Sequence, residues 1–157
     1  RPGSLREVPA PADYAVVVTL VDHELTLATD VDSLRSALDR EGHLEEASRS
    51  TADVVHAREP TGWDVRQCDR GTLSEPSDGA TVIYHVDSLA GRSGTGTTVR
   101  LTGPGVNGSS LLSVSLPSAE LSAISMAQSE YPRGVDVIFA TADQIAALPR
   151  SVTIEVI

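Results

Sequence analysis

The spacing of apolar residues changes several times along the chain, and each change predicts an element. Tyr14 to Val21 is almost unbroken Val, Ala, Thr and Leu, the pattern of a central strand buried on both faces. From Asp30 to Arg40, Val31, Leu34 and Leu38 recur at helical spacing, with Asp30 or Asp32 placed to cap the helix and Gly42 to stop it. Leu44 to Ser48 predicts a second, short helical stretch, and Ala52 to Ala57 a strand ended by Pro60 and Gly62. Gly79 to Val86 and Thr97 to Thr102 read as strands on either side of a Gly/Ser loop, Gly91 to Gly96, which predicts a hairpin. A turn through Gly103-Pro104-Gly105 and Asn107-Gly108 leads to a short strand, Leu111 to Val114.

The last third is more regular. Pro117 opens a helix through Leu121, Ile124, Ala127 and Gln128 that stops before Tyr131-Pro132. Val135 to Ala140 is a buried-type strand, Thr141 is placed to cap a short helix holding Ile145 and Leu148, and Val152 to Ile157 closes as a strand. Arg1 to Asp13, broken by Pro2, Pro9 and Pro11, reads as an irregular arm. Helices alternating with strands at both ends predict a three-layer α/β sandwich around a mixed sheet. With 157 residues and 40% hydrophobic composition, that is one domain over 1–157.

Charge narrows the partners. Twelve basic residues against twenty-two acidic ones leave a net charge of -10, which repels nucleic acid and anionic membranes. All twelve basic residues are Arg, so the chain supplies no Lys for a Walker A loop or for a Schiff base with pyridoxal phosphate, and no cofactor is expected. Cys68 alone forms no intrachain disulfide, four-thiolate zinc site or cysteine-ligated cluster, which suits a reducing cytoplasm. No apolar run approaches the ~18 residues of a membrane span, and no signal peptide opens the chain at Arg1.

Candidate chemistry is sparse. Gly94-Thr95-Gly96 lacks a third glycine and precedes a strand, so it reads as a flexible loop rather than a phosphate cradle. Asp22-His23-Glu24 follows the first expected strand, where α/β proteins gather ligand-contacting groups. An extended backbone, however, points His23 away from the two carboxylates, and His43, His56 and His85 show no ligand spacing, so no metal site is expected. No Gly-x-Ser-x-Gly elbow is present, and Cys68 is followed by Asp69 and Arg70 with no neighbouring His. Arg133 and Arg150, each at the entry to a strand, carry the forked donor suited to anions.

Tyr131-Pro132-Arg133-Gly134-Val135-Asp136-Val137-Ile138-Phe139 and Ala146-Ala147-Leu148-Pro149-Arg150-Ser151 together resemble the closing signature of the PhnH family, a subunit of the bacterial carbon-phosphorus lyase system. Arg1-Pro2-Gly3-Ser4, Leu20-Val21-Asp22-His23-Glu24 and Leu101-Thr102-Gly103-Pro104-Gly105-Val106 are similar to its earlier motifs, in the same order. The resemblance implies an α/β fold like the large domain of pyridoxal phosphate-dependent transferases, without the cofactor. It implies a homodimer when alone, the other carbon-phosphorus lyase subunits as partners, and an amino-terminal segment before Arg-Pro-Gly. By the same resemblance the protein supports the coupling of a phosphonate to a ribose triphosphate derived from ATP, without a complete active site of its own. A self-contained transferase or lyase is the alternative. No catalytic set carries over to individual positions. The ligand- or partner-binding candidates are Arg133, Asp136 and Arg150, then Asp22, His23 and Glu24.

Overall fold

The computed structural model describes residues 1–22, 24–59, 64–91 and 94–157. A run of parallel strands forms its centre: β2 (Thr26–Thr29), β4 (Val54–Ala57), β5 (Thr81–His85) and β9 (Asp136–Ala140), with β3 (Glu45–Glu46) added at one edge. At the other edge β10 (Gln144–Leu148) and β1 (Arg6–Glu7) pair antiparallel, so the sheet is mixed, in the order β1-β10-β9-β5-β4-β2-β3. A second, antiparallel sheet joins β6 (Leu89–Ala90), β7 (Thr97–Thr102), β8 (Ser110–Val114) and β11 (Thr153–Val156) in the order β11-β7-β8-β6. Among the described residues three α-helices accompany the sheets: α1 (Ala12–Leu20), α2 (Asp32–Arg40) and α3 (Ser118–Ala127).

Strand alternation explains the layers, because successive residues of a strand face opposite sides. Leu27, Val54 and Ile83 project to one side and meet Val17, Val21, Leu34 and Leu38 from α1 and α2. Val55, Ala57, Val82, Tyr84, Val137 and Phe139 project to the other, onto Val99, Leu101, Leu112 and Val114 of the second sheet and Leu121 and Ile124 of α3. The central sheet is thus mixed and covered on both faces, one by helices and the other by a smaller sheet and a helix.

Several expected elements are replaced. Tyr14 to Leu20 is helix, not strand, with Val21 its cap: α1 places Val17 in the core and leaves Val18 about half exposed. Packing of that helix on β4 and β5 overrides the strand preference of three consecutive valines. The stretch around Glu45-Glu46 is an edge strand rather than a helix, with Ala47 N–H donating to Leu27 O at 3.1 Å.

β5 and β7 do not form the expected hairpin, since both sides of β5 are taken by parallel neighbours and β7 pairs with β8 and β11. The turn through Gly103 and Gly108 instead closes a β7–β8 hairpin. Thr141 does cap backbone amides, but in a tight β9–β10 turn: its Oγ1 accepts from Gln144 N–H at 3.0 Å, and Gln144 to Leu148 is strand. The strand at 54–57, the helix at 32–40 with Gly42 at φ 71° just beyond it, α3, β9 and β11 lie where the pattern puts them. Pro60, Gly62 and part of the Gly/Ser loop fall outside the described residues.

Candidate functional site

The parallel strands give the sheet two chemically distinct ends. At the amino end, Asp136 starts β9 and receives Arg150 on both carboxylate oxygens: the Arg150 amide donates to Oδ1 at 2.8 Å, and Nη2 and Nε donate to Oδ2 at 2.6 and 3.2 Å. Nη2 also donates to Gly79 O at 3.0 Å and Nη1 to Pro76 O. Arg150 is therefore a clamp between the two closing strands and the loop before β5, and its side chain is only 13% exposed. Arg133 lies beside it and does a similar job, donating through Nε to Gly71 O at 3.2 Å and pairing with Glu130 at 3.2 Å. The structure brings Arg133, Asp136 and Arg150 to one corner, with their hydrogen bonds made inside the chain.

Asp22 and Glu24 stand elsewhere. They lie in the turn between α1 and β2, both exposed, with Asp22 Oδ1 accepting from Glu24 N–H at 2.9 Å. Because the segment before them is a helix, this turn sits at the amino end of β2 and not at a carboxyl end as the strand reading placed it. His23 is outside the described residues. Among the described residues no group of three or more His, Cys, Asp and Glu side chains is placed to hold a metal ion.

The carboxyl end holds a different constellation. Asp13, in the first turn of α1, is fully buried, and so is His56 near the end of β4. Ala12 N–H donates to Ala142 O at 2.9 Å, which anchors the start of α1 just beyond the end of β9. Asp13 Oδ2 faces His56 Nε2 at 2.9 Å and accepts from Arg58 Nη1 at 2.7 Å, and His85 Nδ1 lies 3.7 Å away. On the far side of the imidazole, Thr29 Oγ1 accepts from Val31 N–H at 3.2 Å and meets His56 Nδ1 at 2.9 Å. One order satisfies these groups: threonine hydroxyl to Nδ1, and Nε2–H to the carboxylate.

Burial pushes the Asp13 carboxyl upward, but the His56 hydrogen bond and the favourable electrostatics of His56, Arg58 and His85 outweigh it and hold the group below its ordinary value. Asp13 is therefore an ionised carboxylate inside the fold. Its second oxygen, Oδ1, and His85 Nδ1 are buried without a hydrogen-bond partner among the described residues. Asp30 secures the neighbouring loop by accepting from the Arg58 and Glu59 amides at 2.9 Å each. The Arg58 guanidinium lies over the Tyr14 ring, 5.1 Å from its centre.

Arg58 and His85 open onto a cleft of about 300 Å³ whose other walls are Glu59, Val86, Asp87, Ser115, Leu116 and Pro117. A cleft at the carboxyl ends of parallel strands is the usual ligand position in an open α/β sheet. The sequence pattern missed this set because its members are drawn from α1, β4 and β5. Two signals pointed to it: a histidine within the apolar run of 52–57, and another closing the strand at 79–86.

The motif glycines have a packing explanation. Gly3, at φ 67°, sits where a Cβ would collide with Leu101, and its amide donates to Ala147 O at 2.9 Å. A Cβ on Gly105 would press on Pro2, and one on Gly103 would lie 2.9 Å from Ser151 O. Three motifs far apart in sequence thus meet in one corner and depend on one another's shape.

A family model described as "Bacterial phosphonate metabolism protein (PhnH)" matches residues 1–155. The protein named "Putative C-P lyase subunit protein HtxG" from Stutzerimonas stutzeri is 33% identical over 139 residues, spanning 87% of this chain and 68% of the relative. Matches of that extent establish that the chain belongs to the PhnH family.

Proposed function

We propose that the protein is a subunit of the carbon-phosphorus lyase system in organic phosphonate catabolism, where it supports formation of ribose 1-phosphonate 5-triphosphate from ATP and a phosphonate. The observation that carries this reading is the PhnH family match over residues 1–155. The name of the Stutzerimonas stutzeri relative, a putative subunit, favours an accessory role over a self-contained transferase or lyase. The other subunits complete the active site and are its partners, and alone the chain forms a homodimer in the cytoplasm. A likeness to the large domain of pyridoxal phosphate-dependent transferases belongs to the same reading, supported by the mixed sheet with helices on one face.

Among the described residues no helix is long and apolar enough to cross a membrane. The net charge of -10 opposes long-range capture of a triphosphate by this chain, which a partner's charge would offset. The test compares the purified protein, the other subunits without it, and the complete mixture, each given ATP and methylphosphonate. Product is expected from the complete mixture only. Undiminished product without this chain would overturn the subunit role, and product from the chain alone would establish the self-contained enzyme.

A further inference from the structure

We propose that the cleft at the carboxyl ends of β4 and β5 binds a single phosphonate or phosphate group, held by Arg58, His85, Ser115 and the amino end of α3. The preference for a phosphonate rests on the subunit reading above, whereas the oxyanion site rests on the geometry. Arg58 is positioned by Nη1 on buried Asp13, while Nε and Nη2 make no hydrogen bond among the described residues. The Arg58 side chain is 35% exposed, so its unused fork is accessible from the cleft. A planar fork with two donors in hand is suited to two oxygens of one phosphorus.

His85 adds a directional donor. Its Nδ1 is buried toward the Asp13 carboxylate at 3.7 Å, which leaves the opposite edge of a 22% exposed ring to the cleft. Ser115 Oγ accepts from Ser88 N–H at 2.9 Å, so its own hydrogen is available to donate. Across the cleft, α3 begins after Pro117 with no side-chain cap. The Glu120 and Leu121 amides turn back to Pro117 O, and those of Ser118 and Ala119 have no partner among the described residues. Such a helix end carries partial positive charge and favours an anion.

The remaining charges set the size of the ligand. Glu59 and Asp87 are exposed on the rim. They repel every anion at the cleft, and a triphosphate with its larger charge more than a single head group, so the site favours one phosphoryl or phosphonyl head with a neutral or donor-bearing remainder over a triphosphate. Asp13 lies behind Arg58 and His85 and is fully buried, so it orients Arg58 through the Nη1 hydrogen bond and faces His85 at 3.7 Å without meeting the ligand. It is a positioning residue.

Methylphosphonate, inorganic phosphate and ATP are titrated separately into the intact protein, followed by calorimetry and by the ring resonances of His85. Methylphosphonate and phosphate are expected to saturate, to displace one another and to shift His85, with ATP weaker by roughly tenfold or more. Arg58→Gln is expected to weaken binding roughly tenfold and His85→Gln and Ser115→Ala several-fold, while Arg100→Gln, on the second sheet, leaves it unchanged. Ser115→Ala removes no buried charge and carries the test even where Arg58→Gln does not fold.

Absence of saturable binding, or binding indifferent to His85→Gln and Ser115→Ala, would overturn the site. Saturation by phosphate with none by methylphosphonate would overturn the phosphonate assignment. Failure of the subunit reading shows separately, as product formed by the partner subunits without this chain, and does not alter these titrations.

Discussion

Each end of the central sheet joins an aspartate to an arginine, yet the two pairs are built differently. At the amino end, Arg150 meets Asp136 in a fork and the backbone oxygens of Pro76 and Gly79, while its amide meets the other carboxylate oxygen. At the carboxyl end, one oxygen of Asp13 takes both His56 and Arg58, the other takes nothing among the described residues, and half of the Arg58 fork points outward. A satisfied pair fixes loops. A pair with capacity left over, beside a cleft, is equipped to bind something else. Residue type alone does not separate these cases, since both pairs are Asp with Arg and both are partly removed from water.

The largest effect that sharpens the contrast is on stability at the amino end. Arg150→Ala leaves Asp136 without its fork and the Gly79 carbonyl without its side-chain donor, while Pro76 O keeps only the Gly79 amide, and is expected to cost about 3 kcal/mol. For a chain of this size that lowers Tm by roughly 10 °C, read by thermal unfolding. Lost assembly with the partner subunits and an unchanged Tm would break the comparison and make Arg150 the partner-binding residue that the sequence alone suggests.

The sequence shows the amino-end corner and leaves the carboxyl-end cleft out of view. Arg133, Asp136 and Arg150 are conspicuous as charged residues inside the closing motifs, and the helix at 32–40 is legible because Leu34 and Leu38 share one face. Asp13 was hidden because the stretch after it reads as a strand, which left it in an irregular arm. Three valines favour a strand locally, but nothing local reports that a helix there covers the face carrying Val54 and Ile83. Pro11 just ahead, with Asp13 in the first turn, was the signal for a helix start. Once α1 is a helix, Asp13 faces His56 across 43 positions of sequence. Pairing over such a distance has no periodicity to betray it.

A smaller effect tests the carboxyl end. Asp13→Asn retains an acceptor for His56 and Arg58 but loses the charge between them, and is expected to cost about 2 kcal/mol at neutral pH. The sign with pH is fixed: a carboxyl held below its ordinary value in the folded state contributes stability above the unfolded value near 3.8 and loses it as pH falls through the folded value. The gap between wild type and Asp13→Asn in denaturant midpoint should therefore hold from neutral pH down to about 4 and close below it. A constant gap down to pH 2 would mean that the side chain matters for shape and not for charge, which would remove the fixed anchor behind Arg58 and His85.

The smallest effect on the folded protein comes from a group that is buried but belongs to neither end. Cys68 lies in the main core after the turn at Val65–Gln67, and burial pushes its thiol up from 9.0 to about 12, with the Arg49 charge lowering it and Asp64 raising it by lesser amounts. A raised thiol favours the folded state fully below pH 9 and loses that contribution as pH climbs toward 12. At pH 8 the native protein should react with a thiol reagent at least about a hundredfold more slowly than the unfolded chain, because both thiolate fraction and access are low. Cys68→Ser should leave phosphate and methylphosphonate binding unchanged. Rapid native labelling that also blocks anion binding would join Cys68 to the cleft and erase the distinction between a group that is merely buried and one that is buried with hydrogen-bonding capacity left over.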